Sequence, residues 1–230
     1  MKIVRIIDHN PVIRELQLQT AQNDVFSFQA GQFATLHVPH SPKPVLRAYS
    51  FASDDREKTG FTLVFKKVAG GIASEYVWRS REGEYLDFTG PFGRVVFKEP
   101  ANSQVFLLCT GSGIAQHLSF IKSKADLLPQ VRFRLYFGLA NEAELFYVEE
   151  LARLQKRFAN LHCHLTLAQP SSQWRGLLGY VQEHLNPAEY LGHPATFYLC
   201  GNGEMIKTTR KLLTERDQVV SSEIIAEAFD

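Results

Sequence analysis

A change of rhythm near residue 100 constrains this chain more than any other feature. Up to about Phe97 the sequence is a series of short strands, among them "KIVRIID", "VIRELQLQ", "FATLHV", "FTLVFKK" and "EYLDF". Gly, Pro, Asn and Asp punctuate them at short intervals, which predicts an antiparallel barrel or sandwich of six or so strands over residues 1–99. One helical piece, "IASEYVWR", interrupts after Gly70-Gly71. "KEPANSQ" (98–104) then reads as a linker, and beyond it strands alternate with helices. "VFLLC" precedes "IAQHLSFIKSKADLL", "VRFRLYFG" precedes "AELFYVEELARLQKRF", "LHCHLTLA" precedes "GYVQEHL", and "ATFYLC" precedes "GEMIKTTRKLLTER". Repeated strand–helix units predict a parallel α/β sheet over 104–230 with helices on both faces. Ligands of such sheets bind at the carboxyl ends of the strands, near the point where strand order reverses.

Composition narrows the function classes. A formal net charge of +1 supplies no global field for nucleic acid. No apolar run approaches the roughly 20 residues of a spanning helix. The amino terminus "MKIVRIIDHN" breaks into charge at Arg5 and Asp8 and so lacks the apolar core of a signal peptide, which makes a cytoplasmic location the expectation. The three cysteines, Cys109, Cys163 and Cys200, are too far apart for a disulfide framework, a zinc pattern or a plant-type iron–sulfur site. His162 and His164 share one face of a strand but have no third ligand near them in sequence, so no metal is expected.

Three glycine-rich turns carry chemistry. In "FLLCTGSGIAQHLSFI" a buried strand runs into a Gly-x-Gly turn that opens a helix, where exposed amides attract phosphate. Gln116 stands where the dinucleotide fingerprint has its third glycine, so a tight turn without ligand is the alternative. "YLCGNGEMIKTTRKLL" repeats the geometry, and both turns would face one crevice. A buried structural thiol is the commoner role for a lone cysteine such as Cys200. In "KKVAGGIASEYV" a helix start with small residues can receive a second anion, or simply cap the barrel. A fourth stretch, "PVLRAYSFAS", is a short strand with Arg47, Tyr49 and Ser50 close together, more polar than a core strand needs. Strict alternation sets Ser50 opposite Arg47 and Tyr49, so for a ligand to touch all three the strand must twist, end, or meet it edge-on near Ser50.

Together these motifs resemble the ferredoxin–NAD(P)H reductase superfamily of flavoenzymes, in order and over nearly the whole chain. "RAYS" matches its Arg-x-Tyr-Ser motif, "GIAS" its Gly-x-x-Ser/Thr motif, and "GPFG" the turn closing the flavin barrel. "TGSGIA" and "CGNGEM" match the two nicotinamide-side motifs, and "EAF" a terminal Glu-x-aromatic. The resemblance implies a Greek-key antiparallel six-stranded β-barrel that binds FAD, followed by a Rossmann-like NAD(P)-binding domain. It also implies roles. Arg47 would hold the FAD pyrophosphate, Tyr49 would lie against the isoalloxazine and ribityl, and Ser50 would hydrogen-bond flavin N5. Val68, Gly71, Ile72 and Ser74 would contact FAD, the last three at its pyrophosphate. Thr110, Gly111 and Gly113 would cradle the nicotinamide dinucleotide with Gly201 and Met205, and Cys200 would lie beside the nicotinamide ring. Glu227 and Phe229 would close the site, Phe229 against the flavin, from which it must move before nicotinamide can stack. Ser50, Cys200, Glu227 and Phe229 thus form the implied catalytic set.

The resemblance implies hydride transfer from NAD(P)H to FAD and onward passage of electrons. Many NADPH-using relatives carry a Ser-Arg pair after the third strand of the nucleotide domain. Here Ala168-Gln169-Pro170 stands there, which favours NADH, with Arg175 and Lys207 as the remaining candidate cations. Without iron–sulfur cysteines the electrons are expected to leave for a separate acceptor such as ferredoxin, flavodoxin or another redox protein. "AQPSSQWRG" instead looks like NAD(P)H:flavin reductases, which act on free flavin, and a non-catalytic FAD-containing electron-transfer or redox-sensing subunit is the third alternative. Arg79, Arg81, Lys122 and Lys124 are the candidate basic surface for an acidic partner, with a solvated face as the plainer reading.

Overall fold

The computed structural model describes residues 1–21 and 24–229. Its first half contains β1 (Lys2–Asn10), β2 (Ile13–Gln19), β3 (Phe33–Val38), β4 (Val45–Ser50), β5 (Gly60–Lys66), α1 (Ile72–Arg79) and β6 (Asp87–Phe92). These strands form two antiparallel three-stranded sheets, ordered β1-β2-β5 and β4-β3-β6, that wrap into a six-stranded barrel. Alternation sets the inside: Leu16 and Leu18 of β2, Leu36 of β3, and Phe61, Leu63 and Phe65 of β5 pack with Phe51 in one buried cluster. The chain passes from one sheet to the other directly after β4, where Phe51 bridges Leu63 of β5. Ser50 is therefore the last β4 residue paired to β3, opposite Phe33. Arg14 of β2 fixes α1 over the barrel end. Its guanidinium forks onto Asp8 at 2.6 and 2.9 Å and donates to the carbonyls of Val77 and Trp78 at 3.1 and 3.2 Å, the C-terminal carbonyls that a helix leaves unpaired.

The second half runs β7 (Gln104–Thr110), α2 (Ile114–Lys124), β8 (Arg132–Leu139), α3 (Val148–Arg157), β9 (Leu161–Leu167), β10 (Leu177–Leu178), β11 (Ala195–Gly201), α4 (Gly203–Lys211) and β12 (Ile224–Ala228). All six strands pair parallel, in the order β10-β9-β8-β7-β11-β12. The order reverses at β7, which lies between β8 and β11, so the carboxyl ends of β7 and β11 flank the switch point. Every residue of β11 and all but the last of β7 are buried, as continuous apolar runs covered on both faces require.

Three local expectations change. "GYVQEHL" forms only a 3₁₀ turn over Val181–His184, because Gly179 takes a left-handed φ of +100° just before it and the segment is too short to sustain a helix alone. "AELFYVEELARLQKRF" becomes α-helical only at Val148, after a 3₁₀ turn over Glu142–Glu144, since Tyr147 itself sits at φ +59° and starts the helix abruptly. "GPFG" supplies the end of β6 rather than a free turn, with Gly90, Pro91 and Phe92 inside the strand. The carboxyl-terminal strand β12 adds an edge to the sheet that the strand–helix pattern did not signal.

The halves share one core. Ile13, Ala30, Ala52 and Val64 of the barrel pack in the same buried cluster as Ile114, Ala115, Leu118 and Ile121 of α2. Hydrogen bonds cross the same seam: Tyr147 to Glu15, Gln116 to Gly31, and the Asp55 amide to Ser123 Oγ at 2.9 Å.

Candidate active site

A cleft of about 1250 Å³ lies between the barrel and the carboxyl ends of β7 and β11. It exceeds the roughly 300–1,000 Å³ of a single small-ligand pocket, which suits two ligands that meet. Arg47, Ala48, Tyr49 and Ser50 all line it. β4 is the edge strand of its sheet and stays paired to β3 through Ser50, and residues of both its faces line the one space.

Each wall has its own chemistry. Arg47 is exposed, and the Tyr49 ring packs 4.3 Å from Phe65 while burial pushes its phenol up to about 12, against the opposing pull of Arg47. The Ser50 hydroxyl is buried without a partner. A buried unpaired hydroxyl is costly unless a ligand completes it. Val68, Gly71, Ile72 and Ser74 line the cleft at the start of α1. Among the described residues no side chain caps that helix; the Gly71 amide is bound to the Val68 carbonyl at 2.9 Å, and the first-turn amides after it are left for an anion. The Ser74 hydroxyl is engaged elsewhere: it accepts from the Val68 amide at 3.1 Å and lies 3.0 and 2.9 Å from the carbonyls of Val68 and Gly71. It fastens the turn that presents those amides.

On the facing wall Thr110, Gly111 and Ser112 line the cleft, together with Gly201, Asn202 and Met205. Gly111 has φ +54° and open space where a Cβ would stand, so backbone is directly accessible there. Thr110 Oγ1 accepts from the Asn202 amide at 3.0 Å, joining the two turns, and Asn202 caps α4 through the amides of Glu204 and Met205. Phe229 reaches the cleft with its amide fixed on the Gly201 carbonyl at 3.0 Å.

Gly113, Cys200 and Glu227 lie outside the cleft lining. Gly113 is buried against the β11 end, where a Cβ would stand 2.4 Å from the Cys200 carbonyl oxygen. Cys200 is fully buried, and burial, then the Glu227 charge, pushes its thiol well above the usual range. Glu227 pairs in register with Cys200, and burial raises its carboxyl while Gln116 opposes that rise. Gln116, set aside in the sequence as a departure from the glycine pattern, donates to Glu227 at 2.5 Å. Nothing in the local sequence signals that bond, since its partner lies 111 residues away.

Comparison with known proteins fits this geometry. Residues 2–97 match the oxidoreductase FAD-binding domain family and residues 107–211 the oxidoreductase NAD-binding domain family. The chain belongs to the ferredoxin–NAD(P)H reductase superfamily. It is 28% identical to the ferredoxin–NADP reductase B of Sorangium cellulosum, covering 100% of this chain and 96% of that protein. It is 26% identical to the anthranilate 1,2-dioxygenase electron transfer component of Acinetobacter baylyi, covering 100% of this chain and 67% of that one. A solved ferredoxin NADP+ reductase from Neisseria gonorrhoeae superposes with a TM-score of 0.81 at 22% identity, over 99% of this chain and 95% of that one. As a member of this superfamily the chain is an FAD- and NAD(P)H-dependent oxidoreductase of electron transfer. No helix among its described residues is long and apolar enough to cross a membrane.

The reductase's candidate cations distribute unevenly. Arg47 and Lys66, both from the barrel, are the only lysine or arginine side chains among the cleft-lining residues. Arg175 folds back onto the carbonyls of Ser172 and Trp174, and Lys207 lies 4.0 Å from Glu204. Of the suggested basic surface, Arg79 pairs with Glu75, Lys122 with Glu150 and Lys124 with Glu99.

Proposed function

We propose that this reductase takes a hydride from NADH onto flavin N5 and delivers electrons to a separate redox protein of the ferredoxin or flavodoxin class. The observation that carries this reading is the single cleft in which the Arg47–Ser50 edge faces the turns at Thr110–Ser112 and Gly201–Met205. Bound FAD supplies the redox chemistry, accepting a hydride and releasing electrons. The chain's own residues bind and orient. Arg47 holds the pyrophosphate, for which a guanidinium fork is suited, and the α1 amides of Ile72 and Ser74 complete that anion site beside Val68, with Gly71 holding the turn through its own bond to the Val68 carbonyl. Tyr49 offers an aromatic face, and Ser50 gives its unpaired hydroxyl to N5. Thr110, Gly111, Gly201 and Met205 form the nicotinamide wall. Gly113 supports that wall by letting the two turns touch, with Cys200 directly behind it. Phe229, just past β12, closes the site, with Glu227 behind it beside Cys200, and Phe229 swings aside when nicotinamide enters.

NADH is favoured over NADPH by charge. The cleft residues contributed by the second half include Glu144, Glu183 and Glu204 and no lysine or arginine. A 2′-phosphate would meet carboxylates there, whereas a free ribose hydroxyl can donate to one.

The test is anaerobic mixing of FAD-loaded protein with NADH while the flavin absorbance is followed. Bleaching, with kcat/KM for NADH above that for NADPH, is the expected result; no bleaching with either nucleotide would refute the enzyme reading. FAD retained through gel filtration supports delivery to a protein acceptor. Release of FAD with rapid reduction of added FMN would move the assignment to a free-flavin reductase.

A further inference from the structure

Gln116 occupies a junction of three segments. It lies in the first turn of α2 and is 1% exposed. Its amide nitrogen donates to Glu227 Oε2 on β12 at 2.5 Å and to the Gly31 carbonyl of the barrel at 3.3 Å. Gly31 belongs to a loop that packs closely on α2: with φ +101°, a Cβ there would stand 2.8 Å from the Phe120 ring and 2.3 Å from the Val95 carbonyl. The next residue of that loop, Gln32, accepts from the Phe51 amide at 3.1 Å, immediately after Ser50. Gln116 thus spans from the carboxylate of the terminal strand to the loop that anchors the Ser50 end of β4. Among the described residues its Oε1 is buried with no partner, so the hydrogen bonds that hold the side chain are the two it donates.

We propose that Gln116 is a positioning residue for hydride transfer: it fixes the Glu227 carboxylate and the Ser50 edge of the barrel in one register. The inference rests on the reductase reading above. A side-chain amide can do this because it has two N–H donors, one for each half of the molecule. A third glycine at this position would leave the Glu227 carboxylate without its donor and the seam without this tie. Among the described residues, the Cys200 thiol paired with Glu227 on β11 is a titratable neighbour, and burial keeps it protonated. An amide donor favours the charged carboxylate, so removing it shifts the Glu227 titration to higher pH.

The experiment compares wild-type holoprotein with Gln116→Met, similar in length but without donors. Stopped-flow reduction by NADH gives the saturating rate and the apparent Kd, and carbon-13 NMR of labelled glutamate follows the Glu227 carboxyl in the oxidised, nucleotide-free protein. The expected result is a roughly tenfold lower saturating rate with Kd changed less than about twofold, and a carboxyl titration moved to higher pH. An unchanged rate and titration in Gln116→Met overturns the proposal. A wild type that is not reduced at all overturns the reductase reading instead. Should Gln116→Met fail to fold, the wild-type side-chain amide protons decide: they must shift as Glu227 titrates and lose that dependence in Glu227→Gln. Amide shifts indifferent to Glu227 overturn the proposal.

Discussion

The phenol of Tyr147, at the start of α3, donates to Glu15 of β2 at 2.5 Å, a hydrogen bond that joins the second half of the molecule to the barrel. Burial acts to raise the Glu15 carboxyl, but hydrogen bonds from His9, Tyr147 and Gln17 outweigh it and set it at about 2. A carboxylate depressed in this way stabilises the fold above its unfolded value of 4.5, and the stabilisation is lost as pH falls towards 2. Tyr147→Phe removes one of the three donors. It is expected to cost about 2 kcal/mol at neutral pH, the range for a hydrogen bond to a charged group. The deficit narrows as pH falls from about 5 to about 3, because the variant has less ionised-state stabilisation to lose. Urea unfolding across that range checks it; a deficit that stayed constant would mean that the hydroxyl's contribution does not depend on the Glu15 charge.

Gly113 makes a second, local prediction. Its backbone is ordinary, with φ −59°, so alanine meets no conformational penalty. The obstacle is the Cys200 carbonyl, 2.4 Å from where the Cβ would stand, and a backbone atom cannot rotate away. Gly113→Ala must push the two turns apart and is expected to cost about 1–3 kcal/mol, the usual range for overpacking. NADH affinity should fall while FAD stays bound, because the displaced turns belong to the nicotinamide wall. Differential scanning calorimetry and an NADH titration of the oxidised protein measure the two effects.

How far the sequence discloses this site depends on the range of the interaction. The barrel-then-sheet order and the glycine turns at Thr110 and Gly201 are legible because periodicity and turn chemistry are local. The tension at Ser50 is legible too, since strict alternation already requires the strand to twist, end or meet its ligand edge-on there; the switch of sheets at Phe51 needs the pairing with Leu63. Helix α3 begins late because Tyr147 adopts a left-handed conformation that its residue type does not suggest, stabilised by the distant Glu15. Gln116 reads as a flaw in a fingerprint until Glu227 is seen beside it. Ser74 shows the reverse: the sequence picks the residue, and the structure shows its hydroxyl tying the turn while the amides stay free.

Ser50 separates binding from folding. Its hydroxyl has no partner among the described residues, so Ser50→Ala removes a buried unsatisfied group. Apoprotein stability should hold within about 0.5 kcal/mol or rise. Flavin reduction by NADH should nonetheless slow by about 10–100-fold, as expected when a positioned hydrogen bond to the reacting centre is lost. Paired measurement of apoprotein Tm and single-turnover flavin reduction tests both limbs. A large loss of apoprotein stability would show that Ser50 has a structural partner.

Nucleotide choice gives the last prediction. Ala168 lines the cleft just beyond β9, on the wall whose only charged members are Glu144, Glu183 and Glu204. If NADPH is disfavoured because its 2′-phosphate finds no cation there, Ala168→Arg supplies one without disturbing the hydride site. The side chain is half-buried at the cleft surface, so an arginine can extend into solvent. kcat/KM for NADPH should rise at least tenfold, equivalent to about 1.4 kcal/mol of new charge-assisted contact, while that for NADH changes little. The gain should shrink as salt is raised, because the cleft mouth is open to screening. A gain for both nucleotides alike would mean that the arginine acts on the shared pyrophosphate, and an unmodified protein that already prefers NADPH would overturn the charge argument altogether.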